Sequence, residues 1–201
     1  MNFPASHLDL STPAIRQWEQ MPPDEKRTWS SFLGLKPLKE DSLHLFGQYR
    51  HDYGYRLNNN EVAGVVFCAI IELLRYNREH RMRRAFFGNS GGLDSATICA
   101  LLSKAEQLSR DLGIDFDVVS YGLPISSNPD HNMRAQETAR TFGIRHLTVD
   151  ELDQVLEGLT RSLSPLADHF SFNEEERRRG IGNVKARVRM IVNFFGTTQP
   201  G

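Results

Sequence analysis

From residue 58 onward the apolar positions alternate between two rhythms. Val62, Val65, Val66, Ala69, Ile70, Leu73 and Leu74 recur at helical spacing and predict an amphipathic helix over roughly 60–80. Asn58 and Glu61 stand three apart just before that stripe, the spacing of a capping box. Arg81 to Arg84 end the helix. Ala85-Phe86-Phe87 then reads as a short buried strand. Ile98, Leu101, Leu102, Ala105, Leu108 and Leu112 form one face of a second helix, which Gly113 stops. Phe116 to Leu123 predicts a second strand. Asn128-Pro129 opens a third helix, with proline at its first position, that runs to Gly143. Ile144 to Val149 predicts a third strand, and Leu152 to Leu163 a further helix. Glu174 to Arg179 is a charge run expected to break at Gly180-Ile181-Gly182. Asn183 is expected to begin a last helix, with Val184, Val188, Ile191, Val192 and Phe195 on its apolar face.

Short strands alternating with long helices predict an α/β fold: a doubly wound parallel sheet flanked by helices, its crevice at the C-terminal ends of the strands. Residues 1–57 give a weaker signal. Pro4, Pro13, Pro22, Pro23 and Pro37 punctuate them, leaving a helical patch from Asp24 to Leu33 with Trp29, Phe32 and Leu33 as apolar contacts. The division expected is an N-terminal arm, 1–57, that lies on the domain or on a partner subunit, followed by an α/β domain over 58–201.

Composition mostly removes alternatives. The chain has 201 residues, 39% hydrophobic and 24% charged, with a formal net charge of -1. That balance is ordinary for a soluble domain and gives no basic field to attract nucleic acid. No run approaches the roughly 20 apolar residues of a membrane helix. Met1-Asn2-Phe3-Pro4 does not resemble the start of a secretory leader, so the cytoplasm is the expected compartment. Cys68 and Cys99 both sit in apolar runs, are expected to be buried core thiols, and form no CxxC pair.

The chemistry concentrates where the first strand meets the second helix, in Gly88-Asn89-Ser90-Gly91-Gly92-Leu93-Asp94-Ser95. Gly91 and Gly92 let the backbone come close to a ligand and adopt positive φ. A helix N-terminus follows, whose free N–H groups and dipole favour an anion. Ser90 and Ser95 add hydroxyl donors. An ionised Asp94 cannot donate to phosphate, but it can hold a magnesium ion beside one. No lysine follows the glycines, so this is not a Walker A loop, and the GxGxxG fingerprint is absent. A plain Gly-Gly turn would explain two of these residues, not six in register at the end of a strand. The segment resembles the pyrophosphatase loop, Ser-Gly-Gly-x-Asp-Ser, of the adenine-nucleotide alpha-hydrolase-like superfamily, whose members cleave ATP between the α and β phosphates to activate an oxygen on a second substrate.

A second segment narrows the choice. In Gly182-Asn183-Val184-Lys185-Ala186-Arg187-Val188-Arg189-Met190, Asn183 and Arg187 stand four apart and share a helix face, while Lys185 and Arg189 share a different one. By physics alone this is either a solvated basic helix end or a site for a ligand with phosphate and hydrogen-bonding groups. The pattern resembles the characteristic segment of ammonia-dependent NAD synthetases, in the same order after the phosphate loop, and the likeness covers roughly residues 60–195.

That resemblance implies ATP as co-substrate, with Gly88, Asn89, Ser90, Gly91, Gly92, Leu93, Asp94 and Ser95 at its phosphates. It implies Leu123, of a Leu123-Pro124 stretch, near adenine and ribose, and Mg2+ on Asp94. Asn183 and Arg187 become the residues for deamido-NAD. It further implies ammonia as the nitrogen donor, no covalent enzyme nucleophile, and a homodimer. In the family the loop usually begins Gly-Ile-Ser-Gly-Gly; Asn89 replaces the isoleucine here and is expected to face solvent or ligand. The family's later strand, second metal-binding glutamate, mobile loop and phosphate-contacting lysine have no counterpart up to Gly201. The chain is therefore expected to lack the family's C-terminal part and to be nearly inactive by itself. Rival readings are another amidating or thiolating ligase of the superfamily, and a nucleotide-binding or dimerisation module without catalysis.

Overall fold

A computed structural model describes residues 8–34, 59–126 and 128–197. The Asn58 half of the proposed capping box lies outside the described residues. The elements in chain order are α1 Ala14–Gln20, α2 Pro23–Phe32, α3 Asn59–Glu79, β1 Arg84–Gly88, α4 Leu93–Asp111, β2 Asp117–Gly122, α5 Pro129–Thr141, β3 Arg145–Thr148, α6 Leu152–His169 and α7 Glu174–Thr197. The chain divides into two compact units, 1–82 with 104–115, and 83–103 with 116–201. Among the described residues no helix is long and apolar enough to cross a membrane.

In the first unit, α1 and α2 pack on α3. Phe67 is the pivot: Trp18 tilts against it at 5.3 Å and Trp29 meets it edge-on at 4.6 Å. Ala63, Ile70, Ile71 and Leu74 complete the buried face. The stripe is rotated from the expected one, since Val65 is 56% exposed while Phe67 and Ile71 are fully buried. The aromatic partners supplied by α1 and α2 explain the rotation. A backbone link reinforces it, Ala14 N–H donating to Glu72 Oε1 at 2.7 Å. Pro23 at the start of α2, with Asp24 and Glu25 in its first turn, begins that helix where the sequence suggested.

The second unit carries the α/β fold: a parallel three-stranded sheet, order β1-β2-β3, flanked by helices. Arg84 to Gly88 pair with Asp117 to Tyr121, and Val119 to Gly122 with Arg145 to Thr148. Central β2 is buried from Val118 to Gly122, as a strand covered on both faces should be. Phe86 stacks on Tyr121 across the first pair at 4.2 Å. Ala135 and Ala139 of α5 are fully buried, small enough for that helix to lie close to β2 and β3. Asn128 caps α5 by accepting from Asp130 N–H at 3.0 Å, with Pro129 next, as expected.

Two helices differ from their sequence reading. α6 continues through Pro165 to His169, because Leu159, Leu163 and Leu166 carry the apolar stripe past the proline. α7 is one helix from Glu174 and does not break at Gly180 and Gly182. Its start is a capping box that the sequence reading missed: Glu176 N–H donates to Asn173 Oδ1 at 3.0 Å, and Asn173 N–H to Glu176 Oε2 at 2.9 Å. Each interior glycine costs about 1 kcal/mol, which the cap, three first-turn glutamates and packing on α6 offset. Cys99 is buried, as expected, but Cys68 is only half-buried. Burial raises both thiols, with the charges of Glu72 and Glu19 adding at Cys68, so neither is poised as a nucleophile.

Candidate functional site

The strand–loop–helix expected at residues 88–95 is present. β1 ends at Gly88 and α4 begins at Leu93, with Asp94 in its first turn. Ser90 N–H donates to Ser95 Oγ at 3.1 Å and the two hydroxyls lie 2.8 Å apart, closing the loop upon itself. Gly91 has φ +72°. A side chain there would run into the backbone oxygen of His131 and come within 3.2 Å of Arg134 Cβ. Only Gly91 has the positive φ expected of both glycines. At Gly92 an added Cβ would meet nothing closer than Ser90 Oγ at 3.4 Å.

Asn89 departs from its expected orientation. It is 5% exposed, and its amide turns inward. Nδ2 donates to Ala135 O at 3.0 Å, Oδ1 accepts Gly91 N–H at 3.0 Å, and the backbone N–H donates to Tyr121 O at 2.7 Å. The residue bolts the loop to α5 and β2, since a buried amide is tolerated only with both ends paired.

The loop opens on a cavity of about 420 Å³. Its walls include Gly88, Asn89 and Ser90, then Tyr121 to Pro124 at the end of β2, His131 and Asn132 of α5, and Arg189 and Asn193 of α7. Leu123 lines the same cavity as Gly88, Asn89 and Ser90. Asn183 and Arg187 are both exposed and do not join this wall. Arg189 and Asn193, four apart, present the other face of α7, about 200° around the helix from Arg187. The sequence reading noted Arg189's separate face and assigned it no role. His131 and Asn132 went unnoticed because nothing in the sequence showed which face of α5 meets the loop.

Among the described residues, two buried polar atoms at this end of the sheet have no hydrogen-bond partner: Asn132 Oδ1 and His146 Nε2. His146 Nδ1 lies 2.9 Å from Ser120 Oγ, and burial holds the imidazole below its ordinary value.

For a metal, the donor set is small. Among the described residues no three His, Cys, Asp or Glu side chains converge. Asp94 is exposed at the first turn of α4. A single exposed carboxylate in a helix's first turn fits a magnesium ion that arrives on a ligand's oxygens and keeps most of its water, not one caged by protein.

Parallel strands whose first connection is a glycine-bearing loop feeding a helix N-terminus define an α/β protein with its crevice at the C-terminal ends of the strands. Residues 68–199 match the family model for NAD synthase, and the chain belongs to that family. A curated relative, the NH3-dependent NAD+ synthetase of Finegoldia magna, is 31% identical over 114 residues, covering 57% of this chain and 40% of the relative. That of Chlorobium phaeobacteroides is 34% identical over 122 residues, covering 59% and 37%. The chain thus spans about two fifths of the length of these relatives. In fold it resembles the crystal structure of NAD+ synthetase from Burkholderia pseudomallei, with a TM-score of 0.55 at 20% identity, covering 85% of this chain and 64% of that one.

Proposed function

We propose that this chain forms the nucleotide-adenylating part of an ammonia-dependent NAD synthetase. The observation that supports this best is that Gly88, Asn89 and Ser90, the start of the 88–95 loop, share one cavity with Arg189 of α7. Loop amides, the Ser90 hydroxyl and a guanidinium beside one space suit a polyphosphate. ATP lies with its phosphates on Ser90 to Ser95 and its nucleoside toward Leu123. Deamido-NAD is the second substrate, held from the exposed side of α7 by Asn183 and Arg187.

A nicotinate carboxylate oxygen attacks the α-phosphorus, and the bond to the β-phosphate oxygen breaks to release pyrophosphate. The nitrogen of ammonia then attacks the activated acyl carbon; AMP leaves with the electrons of the C–O bond, and a proton passes from nitrogen to solvent. The products are NAD, AMP and pyrophosphate. This chain's residues orient the phosphates and neutralise charge, and supply no nucleophile. Magnesium held through Asp94 would add charge neutralisation at the phosphates.

The unit works as a homodimer. Ile191, Phe194 and Phe195 are 62%, 67% and 82% exposed on α7, a density of large apolar side chains that suits an interface. Sedimentation as a monomer at tens of micromolar would refute the dimer.

The functional test pairs ATP titration with magnesium to an assay of NAD formation from deamido-NAD and ammonium. ATP binding that Arg189→Met weakens by about tenfold is expected, as for one lost charge-assisted contact. Arg187→Lys should weaken deamido-NAD by about 1–3 kcal/mol and leave ATP nearly unchanged. Absence of ATP binding would overturn the proposal. ATP binding without deamido-NAD binding would move the chain to another ligase of the superfamily.

A further inference from the structure

The turn after β2 adopts a conformation that serine rarely takes. Ser126 has φ +42°, and three hydrogen bonds converge on this one exposed residue. Its N–H and its hydroxyl both donate to Asp153 Oδ1, at 2.7 and 2.9 Å. Its carbonyl oxygen accepts from Lys185 Nζ at 3.1 Å. Asp153 stands in the first turn of α6 and Lys185 lies within α7. Just before it, Ile125 N–H donates to Leu123 O at 2.8 Å. Ile125 itself is fully buried against Leu156 and Val188.

We infer that Asp153, Ser126 and Lys185 form a clasp whose work is positional: it fixes the Leu123-Pro124 wall of the cavity and, through α7, sets where Arg189 stands relative to the phosphate loop. Three points lead there. Leu123 and Pro124 line the cavity and lie three and two residues from the clasped serine. Lys185 precedes Arg189 by four positions, about one turn on the same face, so anchoring one places the other. The left-handed Ser126 needs outside help, because the conformation is disfavoured for any side chain but glycine's. Exposed hydrogen bonds of this kind add little to global stability, which separates positioning from simple support. The effect on ligand binding rests on the proposal that the cavity takes a nucleotide; the clasp itself does not.

Two measurements separate these. In the free chain, amide exchange at Ser126 is expected to accelerate about tenfold in Asp153→Ala and Lys185→Met. Asp153→Asn, which keeps the acceptor oxygen, should stay near the parent, and unchanged exchange in both disrupting variants would overturn the clasp. ATP affinity is then compared in a double-mutant cycle with Arg189→Met. Lys185→Met should weaken ATP about fivefold in the parent and less than twofold once Arg189 is gone. Additive losses would overturn the positioning role. Failure of the parent to bind ATP would overturn the nucleotide reading while the exchange result still decides the clasp.

Discussion

Replacing Gly91 by alanine should cripple the loop, whereas the same change at Gly92 should do little. At Gly91 the methyl group meets two separate penalties. The left-handed backbone, φ +72°, costs a non-glycine residue about 1–2 kcal/mol. The added Cβ would also overlap the His131 carbonyl oxygen and crowd Ala135 N at 3.1 Å. These atoms belong to the rigid first turns of α5, and forcing them aside adds about 1–3 kcal/mol. The sum is about 2–5 kcal/mol if the loop holds its shape, and a relaxed loop would convert part of it into lost phosphate contacts. Gly92→Ala meets only Ser90 Oγ at 3.4 Å and should cost less than about 0.5 kcal/mol. Thermal melting read beside ATP titration is the assay. The expected result for Gly91→Ala is a melting temperature lower by about 5–10 °C, with ATP affinity down at least about thirtyfold. Equal effects at the two glycines would refute the reasoning, since only one of them is sterically obliged.

Asn89→Ala should lower stability by about 1–3 kcal/mol in urea titrations, because it strands Gly91 N–H and removes the second donor to Ala135 O; a change under about 0.5 kcal/mol would show that water replaces the amide. Asp94→Asn should weaken the magnesium dependence of ATP affinity by about tenfold or more, and an unchanged dependence would remove Asp94 from the metal site. His146 should make the fold acid-sensitive. Burial lowers its folded-state value below the ordinary 6.5, so the unfolded chain binds the proton more tightly. Stability is then full above pH 6.5, falls as pH drops below it, and levels off beneath the folded value. Urea midpoints between pH 5 and 7.5 should flatten in His146→Gln, and an equally steep profile would clear His146.

The α/β fold was legible because β1 and β2 are short apolar runs, Ile144 to Val149 mixes apolar with polar residues, and Gly113, Pro129 and Gly143 punctuate them. The loop was legible for the same local reasons. What escaped depends on tertiary partners. The continuity of α7 through Gly180 and Gly182 comes from a cap at Asn173 and from packing on α6, and glycine propensity outweighed both in the sequence reading. The inward turn of Asn89 depends on a carbonyl 46 residues away. Arg189 carries the same charge as Arg187, so the choice of which faces the cavity waits on the docking of α7, which no periodicity in the helix itself reveals.

One contact near the far end of α7 constrains how this sequence can drift. Gly196 rests so closely on the Phe86 ring that any side chain there would overlap it. A single substitution at 196 must therefore shift the helix or the ring, while a smaller residue at 86 would open room for it. The two positions should change together across descendants of this gene, with loss of the aromatic ring preceding any gain of a side chain on the helix.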